Sequence, residues 1–217
     1  MRPRGIFNRD PAGAVTGPCA HRPVAFTLIE LLTVIAIVGV LAGILLPATL
    51  SVRVAARRAK TKVLFAQWGG AMESFRQEYG YYPVIDGGSG KVDPRLFAGA
   101  LTGKSLQGAA VAAPDHLAGN LTQTAFYALT EDELNETRTA LVDAFGNSDI
   151  AVLCDRNGDG QITGADGSVQ SVCGLGRTDA YAPAVSDLDL GVGIRAGVIF
   201  YSAGPGTRAS DLVFSWK

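Results

Sequence analysis

The sequence predicts an α+β fold, one long N-terminal helix packed on a small antiparallel sheet, and three observations carry that prediction. Residues Phe26–Leu46 form an apolar run whose only charge is Glu30, closed by Pro47. From Ser51 to Tyr79 there is no proline, and Leu64, Trp68, Met72, Phe75 and Tyr79 recur at helical spacing. Three short segments, Ile150–Cys154, Gly197–Tyr201 and Leu212–Trp216, are apolar and rich in β-branched or aromatic residues, as strands are.

The first run is about 30 Å of helix at ~1.5 Å per residue, enough to cross the hydrocarbon core of a bilayer. Inserting a carboxylate near the end of such a span costs up to ~3 kcal/mol, so Glu30 marks a partner or a function. The run holds no basic side chain to pair with it. Arg2, Arg4, Arg9 and Arg22 precede the run, and the small residues Val24-Ala25 stand directly before Phe26. Those small residues lie on the wrong side of the apolar segment for an ordinary secretory signal.

Ala25-Phe26-Thr27-Leu28-Ile29-Glu30 resembles the processing site of type IV pilins and of the pseudopilins of type II secretion. The resemblance implies cleavage between Ala25 and Phe26 by a prepilin peptidase, followed by N-methylation of Phe26. Where the family nearly always has Gly before the cut, this chain has Ala25. The resemblance also supplies the missing cation: Glu30 meets the α-amino group of Phe26 on a neighbouring copy. It implies residues 1–25 as leader, 26–80 as the helix with its transmembrane half at 26–47, and 81–217 as an extracytoplasmic head.

Composition limits the alternatives. Nineteen Lys+Arg against twenty Asp+Glu give a net charge of −1, and losing Arg2, Arg4, Arg9, Arg22 and Asp10 with the leader leaves −4. That balance is no footprint for nucleic acid. Arg53, Arg57, Arg58, Lys60 and Lys62 follow the span, so both of its flanks are basic. This band reads as a solvated face near anionic headgroups; the resemblance orients the leader inside and the head in the periplasm. Once the leader is lost, Cys154 and Cys173 remain as a pair, which in an exported domain reads as a disulfide; two buried thiols is the competing reading.

Within the span, Gly39 and Gly43 offer a flat face for close helix packing. Pro47 cannot donate to the Gly43 carbonyl. It either ends the membrane helix or, as the resemblance implies, weakens one turn of a helix that continues. Gly80 then stops the helix and Tyr81-Tyr82-Pro83 begins extended chain, similar to the helix end of pseudopilins. A short helix is expected from Pro94 to Leu101 and another from Asn120 to Thr130 with Leu121, Phe126 and Leu129 inward. Thr130-Glu-Asp-Glu133 has the form of a further helix start. Asp143-Ala-Phe-Gly146-Asn147 and the closing Tyr201–Trp216 segment are also similar to pseudopilin motifs.

Asp155-Arg-Asn157-Gly-Asp159-Gly160-Gln161-Ile-Thr163-Gly-Ala-Asp166 follows the spacing of a calcium loop. Asp155, Asn157, Asp159, the Gln161 carbonyl, Thr163 and Asp166 are its candidate oxygens. Position twelve is Asp166 rather than Glu, and the flanks read as strand and Gly-rich loop rather than as helices. Paired hairpin turns are the competing reading. Major pseudopilins bind calcium before their last strand, where this chain has only Asp211, so those ligands are not carried over.

Catalysis finds little purchase. His21 lies in the leader and His116 in an Ala/Gly-rich connection, and no nucleophile elbow, zinc spacing or dinucleotide fingerprint occurs. Gly99–Ser105 ends like a phosphate loop, but Ala98 stands where that loop needs Gly. The resemblance implies a non-enzymatic structural subunit of a type II secretion pseudopilus, in the inner membrane. Its implied partners are copies of itself, sister pseudopilins, the prepilin peptidase, the secretion platform and membrane lipid. A type IV or competence pilin, a non-polymerising membrane-anchored calcium module and an anchored enzyme are the alternatives.

Overall fold

The computed structural model describes residues 26–111, 119–206 and 208–217, with backbone alone at 45–48. The chain divides into two units, one ending at Pro47 and the other running from Ala48 to Lys217. Helix α1, Leu28–Tyr79, supplies backbone to both. It is continuous through Pro47, so the reading in which the helix ends there is replaced by one helix that tolerates the proline.

In the first unit every described side chain from Phe26 to Ile44 is exposed, including Leu28, Ile35, Leu41 and Ile44. This segment is long and apolar enough to cross a membrane. In the second unit the helix acquires a buried face. Thr61, Phe65, Trp68, Met72 and Phe75 are each fully buried, at the three- and four-residue steps that place side chains on one face. Each buried aromatic contributes about 2–3 kcal/mol of transfer free energy.

That face packs on a three-stranded antiparallel sheet in the order β1 (Ile150–Cys154), β2 (Val198–Ser202), β3 (Val213–Phe214). Ile150 pairs with Ser202, Val152 with Phe200 and Cys154 with Val198. Alternate strand residues point to opposite faces. Ile150, Val152, Cys154 and Phe200 join the helix side, with Phe65 and Trp68 in ring contact with Phe200. Ala151, Leu153, Ile199 and Tyr201 face the other way onto Ile162, Val172, Leu188, Leu190 and Ile194. The loop-rich 155–196 segment thus covers the second face, which is why β1 is buried along its whole length.

Helix α2, Pro94–Thr102, follows from its local sequence. Asp93 caps it by accepting from the N–H groups of Arg95 (2.8 Å) and Leu96 (3.2 Å), Pro94 occupies the first turn, and Gly103 closes it at φ 67°. Gly103-Lys104-Ser105 therefore follows a helix C-terminus, whereas a phosphate loop precedes a helix.

The helix expected over Asn120–Thr130 does not form. The Asn120 side chain donates to the carbonyls of Ala100 (2.8 Å) and Thr124 (2.7 Å) and accepts from Thr124 N–H (3.0 Å), and Gln123 takes φ 53°. The side chain thus satisfies the backbone in a non-helical path. Leu121 is exposed, while Phe126 and Leu129 still pack on the core. At Glu131–Glu133 the expected helix start is a single 3-10 turn with a capping box.

Candidate functional site

Glu30 sits in the first turn of α1, and the structure gives it a partner that the sequence reading left out. Thr27 N–H (2.9 Å) and Thr27 Oγ1 (2.7 Å) both donate to Glu30 Oε2, while Thr27 Oγ1 accepts from Glu30 N–H at 3.3 Å. Thr27-Leu-Ile-Glu30 is a capping box, and its Thr-x-x-Glu spacing was legible beforehand. Phe26 precedes it and is exposed. A Cβ added at Gly39 or Gly43 would meet nothing within 4 Å, so both present bare backbone. Pro47 lies inside α1, and Ala25 falls outside the described residues, as do the leader with Cys19 and His21, and His116.

Beyond the span the basic band is divided. Arg58 Nη2 donates to the Ser210 carbonyl (3.0 Å) and lies 3.5 Å from Asp211 Oδ1, and Lys60 Nζ is 2.8 Å from Asp132. The Lys60 ammonium holds the exposed Asp132 carboxyl below its ordinary value. Arg53, Arg57 and Lys62 are exposed and form no ion pair among the described residues. Asp211 is thus engaged by α1.

The 155–166 loop starts directly after Cys154, the last residue of β1. Asp155 accepts from Gly158 N–H (2.7 Å) and Gly160 N–H (2.9 Å), Asn157 Oδ1 from Asp159 N–H (2.9 Å), and Asp159 Oδ1 from Gln161 N–H (2.8 Å). Asp166 closes the loop by accepting from Thr163 N–H (2.8 Å) and Arg156 N–H (3.3 Å). Ile162 pairs with Ile194 across the second core. The donor set is oxygen only, as a hard cation requires, and each carboxylate retains acceptor sites beyond these bonds. Among the described residues no three His, Cys, Asp or Glu side chains converge closely enough to hold a metal.

Among the described residues Cys154 and Cys173 are free thiols, so the expected bridge between them is not made. Cys154 points into the helix-side core, whereas Cys173 Sγ lies over carbonyls of its own loop, 3.1 Å from that of Arg177. Burial, then the neighbouring Asp86 carboxylate, pushes the Cys154 thiol up to about 12. It lines a cavity of about 350 Å³ between the 80–90 turn and the 155–168 loop. On that wall Arg156 bridges to the buried Asp86 at 3.1 Å. Tyr82 donates to Glu73 (2.5 Å) and accepts from Arg76 (3.0 Å); burial first, then the Glu73 bond, raises it to about 12.

Two buried carboxylates organise the head, and their long-range bonds, to Trp68 and to Ser202, have no local signature in the sequence. Glu133 accepts from Trp68 Nε1 (3.0 Å), from Tyr127 and from both Thr130 donors. Asp143 accepts from Phe145 N–H, Asn147 N–H and Ser202 Oγ (2.7 Å), tying the 143–147 turn to β2. Comparison with known proteins adds no relative: no family, no curated protein and no solved structure matches the chain.

Proposed function

We propose that the chain is a structural subunit of a type II secretion pseudopilus, polymerised through α1 after cleavage between Ala25 and Phe26. One observation carries this reading. From Leu28 to Ile44 the helix exposes apolar side chains on all sides, with the bare backbone of Gly39 and Gly43 among them. A single copy therefore leaves a surface that only lipid or other copies can cover. The resemblance at Ala25–Glu30 selects copies of the chain, sister subunits, the prepilin peptidase and the inner-membrane secretion platform as partners. The head then resides in the periplasm.

Mass spectrometry of the protein purified from its native membrane tests the processing step. The expected product starts at N-methylated Phe26. A chain that retains its leader and stays solitary overturns the proposal. A deletion strain should lose protein secretion; loss of adhesion or DNA uptake with secretion intact would assign the chain to a type IV or competence pilin instead.

For the head we propose calcium in the 155–166 loop, with Asp155, Asn157, Asp159, Thr163 and Asp166 side chains and the Gln161 carbonyl as ligands. Support comes from the loop N–H groups, which already fix Asp155, Asn157 and Asp159 at alternate positions. A bound cation would lend the loop rigidity.

A further inference from the structure

We propose that Arg53 and Arg57 form a docking site for anionic lipid headgroups in the leaflet at the C-terminal end of the span. The inference rests on the reading of residues 26–47 as a membrane span and does not depend on polymerisation.

The structure separates the basic band by use. Arg58 and Lys60 are held by Asp211 and Asp132 of the head. Arg53 and Arg57 are exposed, without an ion pair among the described residues, and lie one turn apart on α1. Residues four apart on a helix are neighbours, so the two guanidinium groups share one side. Leu50, three residues before Arg53 and seven before Arg57, shares their side of the helix and is 64% exposed. An uncovered aliphatic side chain beside two arginines forms a surface whose apolar part suits acyl chains and whose cations suit phosphate.

Distance along the chain agrees. Arg53 and Arg57 follow Leu46 by seven and eleven residues, about 10 and 17 Å of helix at ~1.5 Å per residue. The headgroup zone adds roughly 5–8 Å to each side of the hydrocarbon core, and screening lengths are about 8 Å at physiological salt. A long arginine reaching back toward the bilayer meets phosphate over that range. Lys62, farther along, lies on another side of the helix.

The test uses full-length protein in nanodiscs of equal parts phosphatidylcholine and phosphatidylglycerol, released into native mass spectrometry to count retained lipids. Wild type should retain phosphatidylglycerol in excess. Arg53→Gln with Arg57→Gln should lower that excess about fivefold per arginine. A variant carrying Lys60→Gln and Lys62→Gln loses the same charge and should keep the excess. Equal loss in both variants would reduce the effect to net charge and overturn the site. An unchanged lipid ratio accompanied by loss of oligomers would assign the arginines to a neighbouring copy and overturn it too. Failure of wild type to enter nanodiscs would count against the span itself, a separate and visible outcome.

Discussion

Glu133→Gln is the sharpest probe of how α1 is joined to the head. The buried Glu133 Oε2 accepts from Trp68 Nε1, and Oε1 accepts from Thr130 N–H at 3.2 Å and Thr130 Oγ1 at 2.7 Å. An amide has one oxygen, so either orientation aims an NH2 group at a donor, the buried Trp68 N–H in one case and the part-buried Thr130 N–H in the other. The change loses a hydrogen bond to a charged acceptor, about 1.5–3 kcal/mol, and orphans a donor at about 1–3 kcal/mol; the two overlap, so roughly 3 kcal/mol is expected. For a domain of this size that lowers the melting midpoint by roughly 6–12 °C. The assay is thermal unfolding of the full chain in detergent, followed by near-ultraviolet circular dichroism. Trp68→Phe removes one of the competing donors, so the double variant should recover about 2 kcal/mol relative to the sum of the singles. A Glu133→Gln protein melting within 2 °C of wild type (roughly 1 kcal/mol or less), or strict additivity with Trp68→Phe, refutes the pin.

Three further outcomes follow from the same geometry. Glu30→Val should still insert and be cleaved yet form fewer fibres by electron microscopy; an undiminished yield refutes the assembly role. Calcium at about a hundred times its dissociation constant should stabilise the head by roughly 2.7 kcal/mol, read as a higher melting midpoint that chelator or Asp159→Ala removes; identical melts with and without chelator leave the loop as a turn. Cys154 keeps its proton in the folded state up to about 12, while the unfolded thiol loses it near 9. The folded state therefore holds more protons between those values, and stability should fall above pH 9 by up to about 1.4 kcal/mol per pH unit from this group. Cys154→Ala should flatten that slope in alkaline urea titrations, and an unchanged slope would discount the thiol.

The elements legible in the sequence are those set by short-range pattern. The Leu64–Tyr79 spacing fixed the helix, Asp93-Pro94 and Gly103 framed α2, and the three strands fell within a residue or two of their predicted positions. What escaped depends on contacts distant in sequence. Asn120 reads equally well as a helix cap, and only its bond to the Ala100 carbonyl, supplied by α2, shows that it builds a turn. The second core assembles Ile162, Val172, Leu188 and Ile194 from a Gly-rich stretch with no periodicity. Cys154 and Cys173 count as a pair, yet strand alternation sends Cys154 to the helix side while Cys173 stays over its own loop. Glu133 is different in kind: its capping box was visible, but its bond to Trp68 spans the two elements and has no local signature.

Thr27 changes the energetic role of Glu30 in the proposed fibre. With no donor in reach, the carboxylate would have to recover its whole burial cost from a neighbour's amine, and that pairing would drive assembly. Two Thr27 donors on one oxygen already offset part of the cost in a single copy. Charge-assisted bonds of this kind are worth about 1.5–3 kcal/mol each at most. A neighbouring α-amine can take the Oε1 that Thr27 leaves open, but the burial cost left for it to offset is smaller than an unpartnered acid would imply. The driving force passes to the uncovered apolar surface from Phe26 to Ile44, and Glu30 sets where along that surface two copies meet. Thr27→Val separates these roles. It removes the hydroxyl donor and leaves the acid more dependent on its neighbour, so fibres should become more sensitive to Glu30 neutralisation. If Thr27→Val fibres respond to Glu30→Gln no more strongly than wild-type fibres do, Thr27 carries none of the burial cost of Glu30.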